Sequence, residues 1–293
     1  MKKLAIAINP TKDAEYKILK IVKDKFQKAF NLEEVIVFNS FDSYKQQLNH
    51  DIDLILVLGG DGTFLNVARE MSKKVSIPLV GINMGNLGFL SGIEVGNIDE
   101  AIEKIKNKYY SIDKRILLNC TIGNKHNENA VNDVVVSRGI LSRIVNFRIF
   151  VDNKLYTTFK GDGLIVSTPT GSTAYNFSAG GPIVYPNLDL ITLTPICPHT
   201  KSMQPMVVNG NSVIEIIPEN SREIHLTVDG QKVIKVLEKE KIRVTKANKN
   251  IKVLLFDDYD YFKVLRTKIL NNSNEWDGEA SEVKKAYKNI RNN

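Results

Sequence analysis

The run Gly59-Gly60-Asp61-Gly62-Thr63 sets a carboxylate among glycines directly after the apolar stretch Asp53–Leu58. A glycine turn that leaves a buried strand and opens a helix aims backbone amides at an anion, and phosphate is the expected occupant. Glycine permits both close approach and positive φ there. A carboxylate in that position would repel the phosphates unless it has a specific task. Two tasks make physical sense: holding a Mg²⁺ that bridges the phosphates, or accepting the proton of an attacking hydroxyl. A plainer role stays open, in which Asp61 only caps the following helix. Neither GxxxxGK[ST] nor GxGxxG with an acidic residue about 20 positions later is present, so P-loop and ordinary dehydrogenase chemistry lose support.

A second constellation begins at Lys160-Gly161-Asp162-Gly163, passes through Leu164–Ser167 and enters the hydroxyl- and glycine-rich loop Thr168–Ser178. Long loops of this composition tend to be functional, and the hydroxyls, amides and Tyr175 here offer hydrogen bonds and an aromatic face to a sugar and a base. A wide connecting turn is the alternative. Asn132-Asp133 enters the strand-like Val134-Val135-Val136 and, taken alone, reads as a turn or bulge as readily as a ligand site. A further glycine-bearing loop runs from Asn83 to Leu90, with glycine spacing unlike the dinucleotide fingerprint. His199 has no second histidine at metal spacing and reads as structural, and Cys197 reads as a packing residue with no base beside it.

These residues need elements to position them. Leu4–Ile8, Glu34–Phe38, Asp53–Leu58 and Pro78–Ile82 are strand candidates; Lys12–Phe30, Phe64–Met71 and Ile98–Lys106 carry apolar residues at helical spacing. The first hundred residues therefore read as α/β with a parallel sheet, since nearly continuous apolar strands are buried on both faces. Beyond them lie Ile112–Ile122, Ala130–Ser137, Ile144–Val151, Leu164–Ser167, Ser212–Ile217, Glu223–Val228 and Ile242–Thr245, all rich in β-branched residues and separated by turns such as Val228-Asp229-Gly230-Gln231. Such density without helices predicts an all-β C-terminal domain. The expected division is an α/β body over 1–100, a β body over 101–247, a segment 248–270 that packs back on the first body, and a polar tail over 271–293 with a helix near Ala280–Ile290 and a possible anchor in Trp276.

Composition narrows the class. The chain has 293 residues, a net charge of +7 and 2 cysteines far apart. Basic residues are spread along the chain without a nucleic-acid module, so polyanionic small molecules are expected as partners and nucleic acid is not. No run approaches the roughly 20 apolar residues of a membrane span, no signal peptide is expected, and the cysteine usage fits a reducing cytoplasm.

Taken together, the Gly59–Thr63 turn, Asn83–Leu90, Asn132-Asp133, Gly161–Ser178 and Thr194-Pro195-Ile196-Cys197-Pro198-His199 occur in the order and approximate spacing of the NAD kinases, which this chain resembles over Lys2 to Leu270. The Gly-Gly-Asp-Gly-Thr turn alone is shared with lipid kinases; the set is specific. The resemblance implies an N-terminal α/β domain, a C-terminal β domain, assembly into a homodimer or homotetramer, and transfer of phosphate from ATP, another nucleoside triphosphate or polyphosphate to the 2′-hydroxyl of the adenosine ribose of NAD, with a divalent metal, Mg²⁺. It assigns Asp61 as general base, Gly62 to the phosphates, Asn132 and Asp133 to ribose and base, and Lys160, Asp162, Thr170, Thr173, Ala174, Tyr175, Asn176, Phe177 and Ser178 to the dinucleotide. Arg143 and Gln231 match further substrate-contacting positions. Tyr185 departs from the histidine frequent in the family, and the tail after Trp276 extends past its usual end. A non-catalytic NAD sensor and a lipid kinase are the alternatives; the second lacks the aromatic-rich amphipathic stretch that would dock on a membrane.

Overall fold

The computed structural model describes residues 1–84, 88–123, 125–139, 144–200, 203–220 and 223–269. Arg143, Gly85–Leu87, Trp276 and the helix expected over 280–290 lie outside them. The chain opens with β1 (Lys3–Ile8), α1 (Lys17–Phe30), β2 (Glu34–Asn39), β3 (Leu54–Gly59), α2 (Asp61–Ser72), β4 (Pro78–Asn83), β5 (Ser91–Glu94), α3 (Ile98–Lys106) and β6 (Tyr110–Arg115). Then come β7 (Leu118–Ile122), β8 (His126–Ala130), β9 (Asp133–Arg138), β10 (Val145–Val151), β11 (Lys154–Gly161), β12 (Gly163–Ser167), α4 (Tyr175–Ser178), β13 (Leu190–Ile196), β14 (Met206–Asn209), β15 (Ile214–Glu219), β16 (Ile224–Val228), β17 (Lys232–Val236) and β18 (Ile242–Lys246), before β19 (Ile251–Phe256) and α5 (Tyr261–Lys268).

The first sheet has the order β2-β1-β3-β4-β19-β6, with β5 beside β4, and is parallel except where β6 meets β19. All of β3 is buried, as its unbroken apolar run requires of a strand covered on both faces. One face holds Leu4, Ile6, Leu56 and Ile82 against Val22 and Phe26 of α1 and Ile102 of α3. The other holds Ala5, Ala7, Ile55 and Val57 against Phe64, Val67 and Met71 of α2, where Leu117, Val131 and Ala247 from the β region join the same core. Each large apolar side chain removed from water this way stabilises by about 1.5–3 kcal/mol.

The remaining strands form two antiparallel sheets, β11-β10-β15-β18-β7-β8 and β14-β13-β12-β9-β16-β17, whose inner faces share a core around Phe147, Phe159, Leu164, Val166, Leu226 and Ile242. The fold is thus an α/β domain with a parallel sheet followed by an all-β domain, with β19 returning to the first sheet between β4 and β6.

Several elements differ from the periodicity reading. The apolar stretch Ile112–Ile122 splits: β6 completes the parallel-sheet body while β7 enters the sandwich, with Ile116 and Leu117 buried between them. Strands β8, β11, β14 and β17 carry polar or exposed residues that mask their period, and β13, buried through its middle, has its apolar run interrupted by Thr192, Thr194 and Pro195. α1 starts at Lys17, five residues later than its apolar spacing suggests, because Asn9 and Asp13 organise the preceding segment: the Thr11 amide donates to Asn9 Oδ1 at 3.0 Å and the Leu19 amide to Asp13 Oδ2 at 2.8 Å.

After β12 the chain makes a 3-10 turn over Thr170–Thr173 and the single turn of α4. This loop is packed rather than loose. A Cβ on Gly171 would lie 2.2 Å from the backbone oxygen of Asn132. Gly171→Ala should therefore force the loop off β9 and cost about 1–3 kcal/mol of stability, the usual scale of overpacking. Chemical denaturation would read this as an earlier midpoint; an unchanged midpoint would mean the contact yields without strain.

Candidate functional site

β1 leads to β2 on one side of the first sheet, whereas β3 leads to β4 on the other, so the strand order reverses between β1 and β3. Open α/β sheets bind ligands outside the carboxyl ends of strands at such a reversal. A cavity of about 590 Å³ lies there, walled by Asn9 and Lys12 after β1, Ser40 and Phe41 after β2, and the Gly60–Thr63 turn after β3. Asn9 Nδ2 donates to Thr63 Oγ1 at 3.0 Å and the Asn9 amide to Leu58 O at 3.0 Å, which fixes the two strand ends together.

Gly60 is the N-cap of α2 and makes no side-chain cap bond, and the first helical bond runs from the Phe64 amide to Gly60 O at 3.0 Å. The amides before Phe64 thus remain free of helical partners and carry the positive end of the helix dipole. The turn glycines serve close approach and not positive φ: among the described residues the positive-φ glycines are Gly123, Gly180 and Gly230. A Cβ on Gly59 would lie 2.5 Å from Thr63 Oγ1, and one on Gly60 would lie 3.0 Å from Lys12 Nζ.

Asp61 is the first residue of α2 and is half-buried. Its carboxylate turns away from capping: it accepts the Phe89 amide at 2.9 Å and the Leu90 amide at 3.2 Å. Gly88 makes room for it, since a Cβ there would fall 2.0 Å from Asp61 Oδ1. The described end of the second glycine loop is therefore the clamp on this carboxylate. Tyr259 Oη donates to Phe89 O at 3.4 Å, and the Tyr261 ring packs tilted against Phe89 and edge-on against Tyr185.

Gly62 meets the β domain through Gln231, whose Nε2 donates to Gly62 O at 2.7 Å and whose Oε1 accepts from Arg69 Nη1 at 3.1 Å. Arg69 also donates to Asp229 Oδ2 at 3.2 Å and to Asn66 Oδ1 at 2.8 Å. Both ends of this ion pair are buried. Asp229 sits in the left-handed region at φ 51 and accepts three consecutive amides, from Val131, Asn132 and Asp133, at 3.1, 2.7 and 3.2 Å. Spacing did not single out Arg69 or Asp229; the only sequence signal was the Asp229-Gly230 turn.

On the far side of this bridge, Asn132 and Thr170 come together through the contact of Gly171 with Asn132. Asn132 Oδ1 and Thr170 Oγ1 are both buried, and neither has a hydrogen-bond partner among the described residues. Buried polar atoms rarely remain unsatisfied, so each of these two oxygens has hydrogen-bonding capacity that the described residues do not use. Thr173 and Ala174 are half-buried at the same loop, and Tyr175, Phe177 and Ser178 are exposed on α4. Asn176 is turned inward: its Nδ2 donates to Ser172 O and Pro182 O, and its Oδ1 accepts from Thr192 and Thr194 Oγ1. Its amide holds the loop to β13.

Asp162 stands just before β12, about 20 Å from Thr168 by strand rise, and Lys160 lies in β11 beyond it. Lys160 is exposed, and Asp162 Oδ1 accepts from Arg138 Nε at 2.6 Å. Nearby, the His199 amide donates to Lys160 O at 2.8 Å. Cys197 is exposed with φ 44, unlike the packed residue expected; Cys120 is the buried one, its thiol pushed up to about 12 by burial and by Glu128.

Burial, and then the charge of Asp229, raise the pKa of Asp133 to about 7. Burial also pushes Asp229 upward, while its amide donors and Arg69 favour the ionised form.

The sequence matches the family description "ATP-NAD kinase N-terminal domain" over residues 5–110 and "ATP-NAD kinase C-terminal domain" over 131–256. It is 57% identical to an NAD kinase of Clostridium beijerinckii over 283 residues, 95% of this chain and 99% of that one. It is 44% identical to an NAD kinase of Clostridium perfringens over 92% of this chain and 99% of that one. Among solved structures it resembles yeast NADH kinase complexed with NADH, with TM-score 0.78 and 24% identity over 94% of this chain and 89% of that one, which speaks to the fold. It also resembles an NAD kinase from Archaeoglobus fulgidus in complex with ATP, with TM-score 0.69 and 25% identity over 90% and 97% of the two chains.

A carboxyl whose folded pKa exceeds its unfolded value of about 4 binds its proton more tightly in the native state, so stability is greatest below pH 4 and is lost as pH rises to about 7. The slope expected from Asp133 is about 1 kcal/mol per pH unit across that window. Asp133→Asn should flatten it in denaturant titrations from pH 4 to 8; an equally steep variant would place the buried proton elsewhere.

Proposed function

The chain belongs to the NAD kinase family and is a kinase that transfers phosphate to NAD, and from that premise we propose that the transfer is centred on Asp61. The observation that carries this is the clamp on its carboxylate: the Phe89 and Leu90 amides hold its two oxygens at the wall of the switch-point cavity, where a hydroxyl brought into that cavity meets them. The donor's phosphates rest on the amides of the Gly60–Thr63 turn with Lys12 beside them. The adenosine end of NAD lies along Asn132, Asp133, Thr170 and Thr173–Ser178, where the unused Asn132 Oδ1 and Thr170 Oγ1 take ribose or base groups. This brings the ribose 2′-hydroxyl to Asp61.

In the transfer, the 2′-oxygen bonds to the γ-phosphorus as the bond from that phosphorus to the β–γ bridging oxygen breaks. The hydroxyl proton passes to Asp61, and ADP leaves. Phosphoryl transfer is mostly positioning and electrostatics, so the alignment of the two substrates matters as much as the base. Asp61 is the one carboxylate on the described cavity wall, which suits a Mg²⁺ carried by the donor's phosphates more than a metal caged by protein. Bound there, the ion neutralises charge building on the phosphoryl oxygens.

The finer assignments follow from the same reading. Lys160 and Asp162 line the dinucleotide site, Arg143 is a substrate contact by family pattern alone, and Gln231 holds the Gly62 turn as well as facing substrate. We place the enzyme in the cytoplasm as a homodimer or homotetramer, supported by its bacterial relatives and by exposed apolar residues such as Leu155, Val207 and Val233. No helix among the described residues is long and apolar enough to cross a membrane. A sensor or lipid kinase is not favoured: a pure binder gains nothing from a carboxylate at its phosphate turn.

Asp61→Asn keeps the size of the side chain but removes the proton acceptor and one of the two clamp bonds, because its Nδ2 cannot accept from a backbone amide. Turnover should fall roughly 10²–10⁴-fold, the scale of general-base loss, with NAD affinity nearly unchanged. Steady-state kinetics paired with NAD titration reads both, and near-normal turnover would end the base assignment.

A further inference from the structure

β19 leaves the parallel sheet through a turn closed by the Tyr259 amide on Phe256 O at 2.9 Å, and the phenol this turn delivers has no task in the transfer as described. Tyr259 Oη donates at 3.4 Å to Phe89 O, the carbonyl of the peptide group that joins Phe89 to Leu90. The N–H of that same peptide group is the Leu90 amide, which donates to Asp61 Oδ1 at 3.2 Å. One peptide group is therefore held by a phenol at one end and holds a carboxylate at the other. The group is planar and rigid, so neither end turns without the other, and its orientation decides where Asp61 Oδ1 sits.

The phenol is itself placed from behind. Arg115 of β6 is buried, its Nε donates to Asp113 Oδ2 at 2.9 Å, and its guanidinium stands beside the Tyr259 oxygen. Burial keeps the phenol above its ordinary value against the pull of that cation, so at neutral pH Tyr259 carries a proton to donate. A hydrogen bond to the carbonyl oxygen polarises the peptide and makes its N–H a stronger donor to the carboxylate. Bracing alone would need no donor here, because the Tyr261 ring already packs against the Phe89 side chain.

We propose that Tyr259 is a positioning residue for the phosphoryl transfer: through the Phe89–Leu90 peptide, its hydroxyl aims the Asp61 carboxylate at the incoming hydroxyl. The inference rests on the reading of Asp61 as the proton acceptor. Because Tyr259 reaches Asp61 through that peptide and stands behind it, its loss is felt in the rate of transfer and not in the binding of either substrate.

The test is a double-mutant cycle on the full chain: native protein, Tyr259→Phe, Asp61→Asn and the two together, each assayed for NADP formation from NAD and Mg·ATP, with NAD titration confirming an intact site in each. Tyr259→Phe removes one hydroxyl and keeps the ring. Its kcat should fall roughly three- to tenfold, the scale of one hydrogen bond, with KM for NAD and for ATP unchanged. In the Asp61→Asn background the same substitution should change kcat by less than about twofold, since no base remains to be aimed. An unchanged kcat in Tyr259→Phe, a loss confined to KM, or an equal loss in both backgrounds, as a merely structural contact would give, would overturn the proposal. Near-native turnover of Asp61→Asn would sink the base reading and this inference with it, and that outcome is read from the single variant alone.

Discussion

The buried pair of Arg69 and Asp229 is the constraint on which the rest of the site depends. Taking two charges out of water costs several kcal/mol per ion and is tolerated only when hydrogen bonds satisfy both. Here they do: three backbone amides converge on Asp229, while Arg69 spreads its fork over Asp229, Gln231 and Asn66. Arg69 belongs to the helix that begins with Asp61, and Asp229 to the turn that closes β16 onto the start of β9. One interaction therefore sets the register between the phosphate turn and the loop carrying Asn132. A lysine could not make these bonds together, because its ammonium lacks the planar fork.

The same bridge explains why the site is assembled from distant stretches of chain. Phosphoryl transfer asks little covalent chemistry of a protein and much alignment. The α/β body contributes the reversal of strand order between β1 and β3, and the β body contributes the packed loop after β12. β19 returns to the parallel sheet, and α5 follows it with Tyr261 against Phe89, on the far side of the Asp61 clamp. The Phe89 and Leu90 amides thus fix the Asp61 carboxylate at the wall of the switch-point cavity.

Much of this was legible in the sequence, for reasons that differ from place to place. The unbroken apolar run of β3 and the glycines after it announce a parallel strand and a phosphate turn, and Asp61 stood out because its charge conflicts with that turn. β13 is hidden because buried Thr192, Thr194 and Pro195 interrupt its apolar residues, and β17 because it begins with exposed Lys232 and Val233 and buries only Ile234 and Val236. Arg69 carries no local signal, since nothing nearby in the sequence shows that a carboxylate from 160 residues away meets it. Asp229 read as an ordinary turn residue because the amides it collects come from the opposite strand. Asn176 was taken with its loop neighbours toward substrate, whereas four hydrogen bonds to main-chain oxygens and threonine hydroxyls turn it inward. Motif spacing locates chemistry; which side of a loop faces the ligand depends on tertiary hydrogen bonds.

The most direct measurement is NADP formation from NAD, ATP and Mg²⁺, counted with a dehydrogenase that accepts only NADP, for the native chain and for Arg69→Lys confirmed as folded by circular dichroism. The account predicts that the native chain accumulates NADP and that the lysine variant does so at least about tenfold more slowly, because alignment and not charge has been lost. Equal rates in the two proteins would contradict it.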